Sequence, residues 1–351
     1  MEKAERNYGI DTLRLVLMFM VCVLHTLGQG GVLSASAEGS LHYKVFWFIE
    51  IVSYCAVDGF ALISGYTAVN KPRSFSKIVE MWFQAVFYSL AVTVLLTFFR
   101  SGSSISAAEL VKCAFPVTFG KFWYFTAYFA LFFAIPVLNQ FVFSIDEVTA
   151  KKALILTVFL FSVMGLIADP FQSQWGYSAI WLMVLYCIGA LSKKARLFEK
   201  RKGWFLIALW AVSVLLTWGI QVYMGIGRTT NYVSPAILLN AIIMVVLFSR
   251  LRLNGRVISR ISPLAFGIYL LQLNQIVWND ILKNAFSFIA SKNICVGVLY
   301  VFAFAFAIWA VGIAVEWIRK KLFGLIHIPA FSKKIVQLLD RIMTKLFVFL
   351  E

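Results

Sequence analysis

The chain has 351 residues, 61% of them hydrophobic and 14% charged, with a mean hydropathy of +0.85 and a formal net charge of +16. Soluble domains sit near half apolar. Here apolar runs of about 17 to 25 residues recur along the whole length, which excludes a soluble globular protein and leaves an all-α polytopic membrane protein.

The first apolar stretch, Tyr8 to Gly30, carries Asp11, Arg14 and His25. A charged or titratable side chain in hydrocarbon is costly and needs a reason. On a helix Arg14 and His25 point within roughly 20° of each other, and Asp11 and His25 differ by roughly 40°. One polar stripe therefore runs along a greasy helix, and a disposable signal peptide has no use for it. His25 lies roughly 16 Å further along than Arg14. Histidine exchanges a proton near neutral pH, which makes His25 the candidate general base. Asp11 is placed to fix Arg14, three residues on.

Further spans are expected at 45–69, 78–99, 122–143, 152–168, 176–191, 204–223, 233–249, 262–282 and 294–318, making about ten in all. Outside Arg14, 24 Lys and Arg residues fall on the side of the N-terminus and 7 on the other. That split puts both termini in the cytoplasm and accounts for the net charge without nucleic acid. The outer segment 100–121, with Ser101-Gly102-Ser103-Ser104, reads as a loop. Residues 1–325 form the transmembrane domain. Beyond it, 326–351 holds Ile335, Leu338, Leu339, Ile342 and Phe349 against Lys334, Arg341 and Lys345, the pattern of an amphipathic helix on the inner membrane surface.

The second span carries Glu50 near its outer end and Asp58 deeper, roughly 15 Å from the inner end against roughly 21 Å for His25. Asp58 is the expected acidic partner of His25, with Asp11 as the alternative. Trp123 and Tyr124 open the fourth span at the outer boundary. They serve either as belt anchors or as a wall for a sugar or an acyl chain. Glu316 pairs locally with Arg319 or serves the site. His42 and His327 read as interface residues. The five cysteines are scattered without a C-x-x-C pair, so neither a disulfide framework nor a metal site is expected.

These stretches resemble the acyltransferase-3 family of integral-membrane acyltransferases. GIDTLRLVLMFMVCVLH matches its first helix, including the hallmark Arg-x10-His at Arg14 and His25. CAVDGFALISGY is similar to its second-helix ending around Ser64, Gly65 and Tyr66. Lys71, Arg73 and Lys77 resemble its basic loop. FWYFTAYFALFFAIPVLN is similar to its Trp-Tyr stretch, ISPLAFGIYLLQ to the segment containing Tyr269, and AVEWIRKKL to the last helix with Glu316. Two positions depart: Gln272 and Lys121 stand where many members have histidine.

The resemblance implies a multi-pass protein of the plasma membrane, the inner membrane of a bacterium. It implies a cytoplasmic acyl-CoA donor, most commonly acetyl-CoA, and no permanently bound cofactor. The acceptor it implies is a hydroxyl of an extracytoplasmic glycan or lipid-linked sugar. Arg14, Arg73, Lys77 and Ser64 would bind the donor. Trp123, Tyr124, Glu50, Glu316 and Tyr269 would contact substrate. Such a reaction needs a base for the hydroxyl proton, and cations near the CoA phosphates. Intramembrane acids and bases also mark transport pathways. A secondary transporter or flippase for a glycan or glycolipid is therefore the alternative, and it would carry two structural repeats with interrupted helices.

Overall fold

A computed structural model describes residues 6–68, 74–99, 105–253 and 255–350. Lys71, Arg73 and the Ser101–Ser104 stretch lie outside the described residues. Among those described, every regular element is a helix.

Helix α1 spans Tyr8–Leu27. Asn7 caps it by accepting from the Ile10 N–H at 3.1 Å, and Asp11 in the first turn suits the positive end of the helix dipole. The long helices that follow are α2 (Leu41–Tyr66), α3 (Ser76–Phe99), α4 (Trp123–Ser144), α5 (Glu147–Ile167) and α6 (Ala179–Lys194). Then come α7 (Gly203–Met224), α8 (Pro235–Ser249), α9 (Ile258–Gln272), α10 (Ile294–Leu325) and α11 (Ile328–Leu350).

Eight helices among the described residues are long and apolar enough to cross a membrane. A further pair, α9 and the segment Val277–Ser291, meets the same test only when taken together across a 76° bend, and adds a ninth crossing if the pair is one broken span. The sixth expected span is the short one, below the length the other eight reach. Its helix α6 has only 16 residues, roughly 24 Å, short for a helix that must face lipid. It can be short because protein surrounds it. It packs against α2, α4 and α5, and most of its side chains are buried.

The α2–α6 crossing is a backbone contact. A Cβ on Gly65 would strike the Tyr186 carbonyl, and one on Gly189 would strike the Leu62 carbonyl. Small residues let membrane helices approach this closely, so dispersion contacts take over the role that water exclusion has in soluble cores. Helix α1 sits at the centre, touching α2, α8, α9 and α10. Most of α1, α2 and α8 is buried, whereas α5, α7 and α10 are largely exposed and present residues such as Ile155, Leu216 and Phe306 outward. The polar stripe of α1 therefore faces protein rather than lipid.

His327 takes a left-handed φ of 57° and separates α10 from α11. Helix α11 packs on α3, with Phe331 and Phe83 ring centroids 5.8 Å apart, while Leu338, Leu339 and Ile342 stay exposed. His42 Nε2 lies 2.7 Å from the Lys292 carbonyl.

Candidate active site

The stripe on α1 opens onto a cavity of about 630 Å³. Arg14, Ser262 and Pro263 line one end. His25, Gln29, Glu50 and Trp278 line the other. Between them the wall is apolar: Met18 and Val21 of α1, Val57 and Phe60 of α2, Phe266 and Tyr269 of α9. The helices fix the direction. The Arg14 end lies on the side that carries the basic clusters Lys193–Lys202 and Arg250–Arg260, and the His25 end lies toward the other.

His25 Nδ1 lies 2.8 Å from Gln272 Oε1. The Gln272 amide is itself oriented, because its Nε2 donates to the Ile268 carbonyl at 3.2 Å and to Cys22 Sγ at 3.4 Å. An amide oxygen only accepts, so Nδ1 carries the proton and Nε2 keeps its lone pair. The Trp278 ring stands edge-on to the imidazole, at 4.8 Å and 83°. His25 is thus held in the tautomer a base requires. Replacing Gln272 with leucine removes this orientation. Turnover is expected to fall about tenfold, the worth of one hydrogen bond, with substrate affinity unchanged. Steady-state kinetics beside a binding titration measures both.

Arg14 is about a third exposed and donates to Asp11 Oδ1 at 2.6 Å. Asp11, nearly fully buried, also pairs with Arg6 at 2.5 Å and accepts from Ser262 Oγ at 3.4 Å. Asp11 therefore anchors the arginine, as the i,i+3 spacing suggests, and does not reach His25. A buried carboxylate with two cationic partners is compensated, and it costs the fold little.

The expected acidic partner of His25 is corrected. Asp58 is fully buried and accepts from Trp181 Nε1 at 3.1 Å. Depth along the helix put it near His25, but its side chain turns toward α6. Glu50 does line the cavity. It is buried, and its Oε2 has no partner among the described residues.

Trp123, Tyr124 and Tyr269 also line the cavity. The Tyr269 hydroxyl accepts from the Tyr124 N–H at 3.0 Å, at an amide that the start of α4 leaves unpaired. Tyr124 Oη is buried and has no hydrogen-bond partner among the described residues. Trp123 belongs to an aromatic wall with Tyr177 and Tyr232, at centroid distances of 4.6 and 6.2 Å, and Tyr54 extends it at 5.0 Å from Tyr232.

Three expected residues stand elsewhere. Ser64 Oγ donates to the Phe60 carbonyl of its own helix at 3.1 Å. Lys77 is exposed at the start of α3 and is not in the lining. Glu316 is buried against Gly267, pairs with Arg319 and accepts from the Tyr88 hydroxyl at 2.8 Å. Arg73 lies outside the described residues. Gln272, Trp278, Tyr54, Tyr177 and Tyr232 were not foreseen as part of the site. The single available signal was Gln272, a departure from the pattern that the family resemblance implies. Among the described residues, no three His, Cys, Asp or Glu side chains converge to hold a metal ion.

A family model described as an acyltransferase domain, acyltransferase-3, matches residues 7–314, a range that contains the whole cavity lining. No curated protein and no solved structure matches the chain.

Proposed function

Because the chain belongs to the acyltransferase-3 family, we propose that it moves an acetyl group from cytoplasmic acetyl-CoA to a hydroxyl of an extracytoplasmic sugar or polysaccharide. The family makes it a membrane acyltransferase and sets the transporter reading aside. One observation carries the finer reading: Arg14 and His25 line a single cavity, eleven residues apart on one helix face.

The acyl-CoA phosphates meet Arg14 at the basic end, where guanidinium is the usual partner of phosphate. The flexible arm of the donor runs along the apolar wall and brings the thioester to His25. A hydroxyl arriving from the other end gives its proton to Nε2 as its oxygen bonds the acetyl carbon. The resulting oxyanion needs a donor, and the unpartnered Tyr124 hydroxyl is available in the same lining. Collapse breaks the carbon–sulfur bond, and the imidazolium returns the proton to the departing thiolate. Ester and free CoA result, and the enzyme is restored. Nδ1–H stays on Gln272 throughout. Glu50 accepts from a neighbouring hydroxyl of the acceptor.

In this reading the protein sits in the plasma membrane of a bacterium with both termini cytoplasmic. Helix α11 lies along the inner surface, its exposed leucines in the headgroup layer and its Lys and Arg residues near anionic lipid. The test is chemical. Native membranes given acetyl-labelled CoA should gain alkali-labile acetyl on a surface saccharide, and should lose it when the gene is deleted. Label that persists after deletion would overturn the reading.

A further inference from the structure

A second cavity of about 540 Å³ lies on the side opposite the basic clusters. It falls within the size range of ligand sites, roughly 300–1,000 Å³. Its lining comes from three places: the outer half of α3, the short helix Ala107–Ala114 with the loop that follows, and the bend between α9 and Val277–Ser291.

Its chemistry differs from that of the first cavity. Lys121 donates to Gln275 Oε1 at 3.0 Å and pairs with Glu109, so a charged pair and an amide are already oriented on one wall. Gln275 Nε2, Asn279 and Lys112 also belong to the lining, all three on exposed residues with no further hydrogen bond among the described residues. The same lining includes the aromatic residues Phe119, Phe122 and Trp278. Donors and acceptors side by side, over an aromatic surface, suit a ring that carries hydroxyls on its edge and C–H groups on its face.

The two cavities share Leu273 and Trp278 in their linings. The Trp278 indole that borders the polar cavity is the one standing edge-on to His25. The Trp278 carbonyl accepts from Gln29 at 2.8 Å, which pins the backbone of a residue common to both linings.

We propose that this second cavity holds the acceptor, a saccharide unit, and delivers its hydroxyl past Trp278 to His25. The inference rests on the acetyl-transfer reading above and names the acceptor's seat within it.

The experiment uses the full-length enzyme in native host membranes, with acetyl-labelled CoA as the probe. Gln275→Trp and Asn279→Trp fill the cavity, and Gln275→Ala and Asn279→Ala remove its free amides. Label on the saccharide should fall at least tenfold in the filling variants and severalfold in the alanine variants. Acetyl-CoA affinity of each purified variant, measured by titration, should stay within twofold of the parent and reports a folded donor site. Filling variants that fold, bind acetyl-CoA and label saccharide normally would overturn the proposal. So would label recovered on protein or lipid instead of saccharide. A parent enzyme that binds no acetyl-CoA would sink the donor reading instead, so the two failures are distinguishable.

Discussion

His25→Ala is expected to lower acyl transfer by about 10²–10⁴-fold, the range for loss of a positioned general base. The geometry makes the expectation sharp. Gln272 sets the imidazole tautomer, Trp278 limits the ring's tilt, and Nε2 is the nitrogen left to take a proton. No other histidine lines the cavity among the described residues, and Glu50 is the single carboxylate in that lining. The variant leaves the Gln272 amide oxygen short of one partner, at a cost of about 1–3 kcal/mol if water does not replace it. It should therefore fold and bind acetyl-CoA as the parent does. Titration and size-exclusion chromatography establish both before transfer is measured. Normal transfer by a folded His25→Ala enzyme would remove the base assignment.

Arg14→Ala is expected to weaken acetyl-CoA binding about 10- to 100-fold, in line with losing one or two charge-assisted hydrogen bonds to phosphate. The informative comparison is with acetyl-pantetheine, which keeps the thioester and the arm but lacks the nucleotide phosphates. The parent should prefer acetyl-CoA, and the variant should lose most of that preference. An equal loss for both donors would mean that Arg14 acts on the fold. That outcome is physically possible, because Asp11 would then keep Arg6 and Ser262 as its partners among the described residues. Arg14→Lys separates the two roles. It keeps a cation for Asp11 but lacks the planar fork that grips phosphate in two bonds.

Much of the architecture was legible in the chain, and the reason is the bilayer. Hydrocarbon forces long uninterrupted apolar helices, so α1, α2 and α3 fall within a few residues of the expected spans. The ninth span shows where that logic stops. The apolar character of 262–282 carries no direction, and Leu273-Asn274-Gln275-Ile276 offers neither Pro nor Gly to signal a bend. That bend creates the second cavity, which was therefore invisible.

The site divides in the same way. Arg14, His25 and Glu50 stood out because polar groups in lipid need a cause, and all three line the cavity. Asp58 stood out for the same reason, but depth alone cannot give azimuth, and it faces Trp181. Gln272 lies 247 positions from the histidine it orients. Only the folded contact between α1 and α9 reveals that pairing. Tyr177 and Tyr232 join Trp123 from different segments, and no local spacing encodes their meeting.

Central to the proposed function is an acetyl group crossing the membrane within one cavity, from a donor at Arg14 to an acceptor beyond His25. Sidedness tests it most directly. Acetyl-labelled CoA is added to sealed native vesicles of known orientation, and saccharide-bound label is counted. Inside-out vesicles, which present the basic side to the medium, should accumulate label on lumenal saccharide, and right-side-out vesicles should not. Equal labelling in both orientations, or label confined to the side of the added donor, would contradict the account.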